Sequence, residues 1–192
     1  MIPQTAPIFT FDPNEHRYFL DGVEIPGVTS ILKSAGLTRS YGGFQDAQWR
    51  GLHVHQCTEL YDLNDLDWNS VYPQWLGYVK AWARFRDDTG FNPTLIEWQG
   101  YDTGLRFAGT LDREGVLQGD VFQPDIKTGA EEPWHRFQTG GYWMLRAVKA
   151  ARRGCVYLRE DGTYKLVRHD DPKDMRVFLA ALTIANVRSQ MT

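Results

Sequence analysis

Between Leu105 and Tyr142 the order of apolar and polar residues predicts a strand, a reversal, a second strand, a short loop and a helix. Leu105, Phe107, Gly109 and Leu111 alternate with Arg106, Ala108, Thr110 and Asp112, the period of two that sends successive side chains to opposite faces of a strand. Glu114 to Asp120 holds two glycines and reads as the reversal. On the return strand Val121, Gln123, Asp125 and Lys127 share one face, and Phe122 and Ile126 take the other. Antiparallel pairing of the two strands brings Asp112 and Asp125 together, with Lys127 one step along. Thr128-Gly129 closes the strand. The helix beyond it, read as far as about Arg153, carries Gln138 and Tyr142 on one face, because residues four apart are neighbours on a helix surface.

The same reading extends outward. Phe9 to Ile25 is expected as a small β-meander, with turns at Asp12-Pro13-Asn14 and Asp21-Gly22. Thr29-Ser30 then caps a short helix, Ile31 to Ala35, closed by Gly36. Tyr41-Gly42-Gly43 marks a flexible joint. Phe44 to about Leu63 has helical spacing, with Gly51, His55 and Glu59 at four-residue steps along one face and His53 pointing elsewhere. Asp62 to Asp67 reads as an acidic loop. A second helix, Pro73 to Thr89, offers Trp75, Val79, Trp82 and Phe85 for packing, since aromatics at helical spacing usually serve a core. Gly90 ends it, and Thr94 to Tyr101 is a strand carrying Glu97. A hairpin of Gly154 to Leu158 and Tyr164 to Val167 turns at Asp161-Gly162. A last helix runs from Pro172 to about Val187, capped by Asp170 or Asp171. With no repeat, low-complexity tract or linker, 1–192 reads as a single domain, 1–40 as an N-terminal extension and 44–192 as the core.

At 192 residues, 42% hydrophobic and 14% aromatic, the chain can bury one good core and is short for two. No segment nears the roughly 18 consecutive apolar residues of a membrane span. The start, MIPQTAPIFTFDPNE, lacks the basic and apolar regions of a secretory signal, so a soluble, cytoplasmic protein is expected. The net charge of −3 hides an asymmetry: residues 1–100 hold 7 Lys/Arg against 12 Asp/Glu, and residues 101–192 hold 14 against 12. Arg136, Arg146, Lys149, Arg152 and Arg153 gather on the helix expected after Gly129. There they suit either a solvated helix end or phosphate contacts. Cys57 and Cys155 are expected as buried free thiols.

Two carboxylates and a lysine on one sheet face commonly signify a solvated surface. They also suit a hard metal ion, which takes oxygen ligands, lowers the pKa of a bound water and stabilises charge on a phosphate. A lysine beside it orients that water or neutralises developing charge. Glu97, on an otherwise core-forming strand, calls for a partner. In order, Gly51-x3-His55-x3-Glu59, then Glu97, then Gly109-Thr110-Leu111-Asp112, then Asp125-Ile126-Lys127-Thr128-Gly129, then Gln138-x3-Tyr142 resembles the PD-(D/E)xK nuclease superfamily. Within it the match is to the RecB-like, phage-type exonuclease branch. The resemblance covers about half the chain, and its motifs are individually weak but correctly ordered. The proline precedes Asp125, not Asp112, so the first motif is not matched literally.

The resemblance implies an α/β fold with a restriction-endonuclease-like core, a central mixed β-sheet flanked by helices, behind an N-terminal β-hairpin extension. It implies Mg2+ or Mn2+ held by His55, Asp112, Asp125 and the main-chain carbonyl of Ile126, with Glu97 a supporting carboxylate. Asp112, Asp125 and Lys127, together with Glu97, would carry the catalysis, Lys127 positioning or activating the attacking water. Gln138 and Tyr142 would order the site or grip a strand, Gly51 would permit close packing or a backbone approach to DNA, and Arg136, Arg146 and Lys149 would meet DNA. The implied activity is exonucleolytic hydrolysis of DNA in phage or prophage recombination or DNA processing. A single-strand annealing or recombination protein is a candidate partner, and an oligomer is compatible. Two cysteines exclude the four-cysteine iron–sulfur cluster of some relatives. Three alternatives stay open: a structure-specific endonuclease, a catalytically silent nucleic-acid-binding or complex-forming module on the same fold, and a protein-interaction or inhibitor protein of a mobile element.

Overall fold

In the computed structural model, which describes residues 6–38, 45–146 and 151–191, the chain opens as a small antiparallel sheet. Its strands are β1 (Phe9–Asp12), β2 (Arg17–Leu20) and β3 (Val23–Ile25), in that order. Asp21 and Gly22, at φ 52° and 76°, make the tight turn between β2 and β3. Helix α1 (Val28–Ser34) starts earlier than expected, with Gly27 at its N-cap. Thr29 and Ser30 therefore lie inside its first turn. Ser30 Oγ donates back to Gly27 O at 2.7 Å, and the Thr29 hydroxyl makes a tertiary contact instead.

Helix α2 (Gln45–Asp62) follows, then two short 3-10 turns at Trp68–Ser70 and Pro73–Trp75, then α3 (Leu76–Thr89), closed by Gly90 at φ 67°. Five strands form the main sheet: β4 (Asn92–Asp102), β5 (Phe107–Leu117), β6 (Asp120–Lys127), β7 (Arg152–Leu158) and β8 (Tyr164–Arg168), side by side in chain order. β6 and β7 are parallel and α4 (His135–Arg146) crosses between them; every other neighbouring pair is antiparallel. Helix α5 (Lys173–Ser189) ends the fold, and Asp171 Oδ1 accepts the Lys173 backbone N–H at 2.9 Å, as a capping aspartate should. The architecture is α/β, a mixed sheet flanked by helices with an N-terminal antiparallel extension.

The two sheet faces are packed differently. Val54, Trp82, Phe85, Phe91, Phe122, Ile126 and Val156 form the core under α2 and α3. Val28, Ile31, Leu32, Phe107, Leu111, Tyr142, Phe178 and Leu182 form the core under α1, α4 and α5. Tyr18, Leu20, Ile25 and Ala108 join the small sheet to β5. Phe122 and Ile126 thus lie opposite the Gln123, Asp125 and Lys127 face, as the alternation predicts.

Three expectations need correcting. The reversal is not Glu114 to Asp120: β5 runs on through Leu117, and Gln118-Gly119, at φ 52° and 88°, makes a two-residue turn. Burial decides this, because Arg113, Glu114 and Leu117 are all enclosed. The helix carrying Gln138 is described only to Arg146, and Arg152 and Arg153 belong to β7, where Arg153 is buried against Asp174 at 2.8 Å. Asp62 is not part of an acidic loop; it is the last residue of α2 and buried. The glycine joint at Gly42-Gly43 and the cation Lys149 lie outside the described residues.

Candidate metal centre

Apart from a register shift between Pro93 and Leu95 on β4, the sheet's irregularities lie where the charged residues sit. β5 and β6 are paired in register only from Gly115–Phe122 to Leu117–Asp120, at the hairpin end. Further along, the Ile126 N–H donates to Asp112 Oδ2 at 2.7 Å. A carboxylate therefore takes an amide that a paired strand would have satisfied with a carbonyl. On β5 the alternation also slips: Phe107 and Leu111 face α4 and α5, whereas Asp112 and its neighbour Arg113 both reach α2. Opposite them on β4, Glu97 adopts φ 46°, an uncommon conformation for a residue with a side chain and one that needs holding in place.

Arg113 holds it. Its fully buried guanidinium donates to Glu97 Oε1 at 2.7 Å, to Asp62 Oδ2 at 2.5 Å, to Thr58 Oγ1 at 3.3 Å and to the Asp112 carbonyl at 2.6 Å, and it lies over the Trp82 ring. Asp62 is further tied to Arg86 Nη1 at 2.8 Å and to the Trp82 indole at 3.0 Å. The planar fork of an arginine can meet two carboxylates and a hydroxyl together, which an ammonium cannot do in this geometry. Sequence reading missed both Arg113 and Asp62. The available signal was a charged residue immediately after Asp112 in a strand with no solvated face.

The result is a cluster of His55, Glu97 and Asp112, whose ligand atoms all lie within 4.8 Å of one another. His55 Nδ1 is 3.7 Å from Asp112 Oδ1 and 3.9 Å from Glu97 Oε1, while Nε2 is 3.1 Å from the Ile126 carbonyl. Burial depresses the His55 pKa, but Asp112 and Glu97 outweigh it and lift the group to about 9. Glu97 is in turn held below its ordinary value: burial raises it, and His55 and Arg113 together more than compensate. Glu59, one turn beyond His55, is pushed up by burial and by the Glu97 charge.

Asp125 and Lys127 sit beside this cluster. Asp125 is buried and bound to Lys127 Nζ at 2.7 Å, and the Cys155 thiol donates to it at 3.4 Å. It is not one of the three residues whose ligand atoms converge. Lys127 Nζ also donates to Gln138 Oε1 at 2.9 Å, and Gln138 Nε2 donates to Tyr142 Oη at 3.1 Å and to Thr29 Oγ1 at 3.0 Å. Burial lowers the Lys127 pKa, but Asp125, with smaller contributions from Cys155 and Asp112, raises it overall, so the ammonium keeps its proton. Gln138 and Tyr142 are thus brought together as expected, and Thr29, read as a helix cap, proves to be their third partner.

Other residues fall differently. A Cβ built on Gly51 meets nothing within 4 Å, so no close packing requires glycine there. Arg146 is spent on Glu114, at 2.7 and 3.0 Å, and lies over the Trp98 ring. Arg136 is spent on Asp174 at 2.5 Å and Asp171 at 3.0 Å. Both arginines stabilise the fold of α4 in this arrangement. Cys155 is buried and free, while Cys57 is only half-buried.

No family model matches the sequence, and no curated protein is similar to it. Among solved structures, one titled "Crystal structure of SSO0001" is 14% identical, covers 82% of this chain and 84% of its own, and superposes with a TM-score of 0.40. A likeness of that degree bears on neither family nor activity.

Proposed function

We propose that this chain is a divalent-metal-dependent DNA nuclease of the PD-(D/E)xK type, acting as an exonuclease. The observation that carries the reading is the convergence of His55, Glu97 and Asp112 beside the Asp125–Lys127 pair. An imidazole nitrogen and two carboxylates suit Mg2+ or Mn2+, the nitrogen favouring Mn2+. Two further features support the fit. The carboxylates hold a proton on His55 well above its ordinary pKa, so the cluster already attracts positive charge. The Ile126 carbonyl faces Nε2, the nitrogen turned away from the carboxylates. A metal on Nδ1 would leave the Nε2 proton donated to that carbonyl, the usual way in which a ligand histidine is oriented.

A divalent ion held there supplies a water of lowered pKa and charge neutralisation at phosphate. The rest falls to side chains. Glu97 and Asp112 face the shared volume, the first fixed by Arg113 and the second by the Ile126 amide. Lys127, protonated and pinned between Asp125 and Gln138, acts as a hydrogen-bond donor and positive charge, orienting a water or a phosphate oxygen. It is not a base. Gln138, Tyr142 and Thr29 keep that ammonium in place. A role in recombination or DNA processing, inside a cell, is part of the proposal.

The test uses linear duplex, linear single-stranded and closed circular DNA with Mg2+, Mn2+ or EDTA, beside Lys127→Ala and Asp125→Asn. Metal-dependent loss of linear DNA alone, absent in both variants, is the expected result. Nicking of circles would identify an endonuclease. Absence of cleavage by folded wild type under every metal would refute the reading.

A further inference from the structure

A cavity of about 260 Å³ lies between the N-terminal sheet and the core, lined among others by His16, Tyr18, Gly27, Thr29, Gly109 and Tyr142. Its inner wall belongs to the candidate site, since Thr29 and Tyr142 are the two groups that hold Gln138. Its outer wall is delivered by the turn between β1 and β2. His16 stands there at φ 51°, an uncommon conformation for a residue with a side chain but one that histidine adopts more readily than most. Its ring packs edge-on against Phe11 and Tyr18, and Nε2 is 3.0 Å from Tyr18 Oη. Tyr18 Oη in turn meets Thr110 Oγ1 at 2.9 Å, two residues before Asp112 on β5. Burial lowers the His16 pKa, and the carboxylates of Glu97 and Asp112 offset part of that, so the ring lies within electrostatic reach of the cluster.

The cavity's chemistry is that of a nucleoside site. Arg17, at its mouth, is neutralised by Glu15 and Glu24, so no unpaired cation there invites a phosphate. Within are two tyrosine rings, glycine backbone and the polar atoms of His16 and Thr29, a mixture suited to a sugar and a base. The volume is close to the lower end of small-ligand pockets, about 300 Å³. We propose that this cavity binds the sugar and base of the nucleotide adjoining the phosphodiester that is cut, and that His16, positioned by Tyr18, is its substrate contact. The proposal rests on the nuclease reading for its substrate class. The N-terminal sheet is then part of the substrate site and more than a decoration of the core.

Two measurements test it. Saturation-transfer NMR with thymidine in EDTA reads the cavity without metal or turnover. Saturable transfer is expected for wild type, weakened about tenfold in His16→Ala, as loss of one hydrogen-bonding partner predicts. It should vanish in Ser30→Phe, which places a ring from an exposed lining position into the cavity. With a linear oligonucleotide and Mg2+, His16→Ala should raise KM about tenfold while kcat changes less than threefold. A merely structural histidine would lower the urea midpoint and leave KM alone. No transfer from wild type to thymidine, or equal transfer in wild type and both variants, overturns the proposal. If His16→Ala fails to fold, Ser30→Phe decides. If folded wild type cleaves nothing under any metal, the nuclease reading falls while the thymidine measurement still settles the cavity.

Discussion

Removing the proton from His55 should weaken the metal-free protein. The imidazole is charged in the fold because Asp112 and Glu97 face its Nδ1 at 3.7 and 3.9 Å. Its pKa rises from 6.5 to about 9 on folding. At roughly 1.4 kcal/mol per unit this corresponds to about 3 kcal/mol, or nearer 2 kcal/mol once solvent screening at a partly exposed site is allowed for. The sign follows from linkage. Between the two values the folded state binds more protons than the unfolded one, so stability falls as pH rises. The contribution is fully present below pH 6.5 and is lost as the pH passes through 9. Urea unfolding in EDTA at pH 6 and pH 9.5, for wild type and His55→Asn, isolates the effect: wild type should lose about 2 kcal/mol more than the variant across that interval. A divalent ion competes for the same carboxylates, so Mg2+ affinity should rise about tenfold per pH unit over this range. Parallel pH profiles for the two proteins, or a His55 imidazole titrating near 6.5 by NMR, would refute the reasoning.

Three further outcomes follow from the packing. Arg113→Leu leaves Asp62 and Glu97 without their shared partner in a buried setting, and should cost about 3 kcal/mol or more in urea unfolding; a loss below about 1 kcal/mol would mean that Arg86 and Trp82 suffice for Asp62. Gly77→Ala places a Cβ 1.7 Å from the Glu160 carbonyl oxygen. Overpacking against backbone should cost about 2 kcal/mol and lower Tm by several degrees, and an unchanged Tm would show that α3 and the β7–β8 turn can part freely. His135 is buried against the Tyr157 hydroxyl at 2.8 Å, and burial, then the Lys127 charge, brings its pKa down to about 4. Because the unfolded chain takes up that proton near 6.5, stability should fall on acidification from pH 6.5 to 4, by on the order of 2 kcal/mol after screening. His135→Phe should flatten this acid limb, and an identical limb would contradict the assignment.

Much of the fold was legible because it rests on local rules. Alternation marked β5 and β6, and four-residue spacing put His55 on α2 and Gln138 with Tyr142 on α4. The same spacing placed Gln138 and Tyr142 on one helix face, and the structure joins them by a hydrogen bond. What failed was everything set by irregularity. The slip of Asp112 and Arg113 toward one helix, and the left-handed backbone of Glu97, break the period of two on which strand reading depends. The end of β5 was misplaced because glycines at 115 and 119 look alike in sequence, while only Gly119 has the positive φ that a turn requires. At Gly115 a Cβ would meet the Asn92 carbonyl oxygen at 2.2 Å, so that glycine serves close strand approach.

The sequence alone determined which residue types were available for chemistry and the order in which secondary structure presents them, because propensity and periodicity act over a few residues. Tertiary structure alone decided their employment. It committed Arg136 and Arg146 to Asp174 and Glu114, gave Glu97 to Arg113 and His55, and took Thr29 from a helix cap to the Gln138 network. It also brought the Tyr18 hydroxyl, with His16 bonded to it, from the N-terminal sheet to Thr110 on β5. These choices are made by burial, since a charge or donor excluded from water must find its partner wherever the packed chain brings one within reach, however distant in sequence.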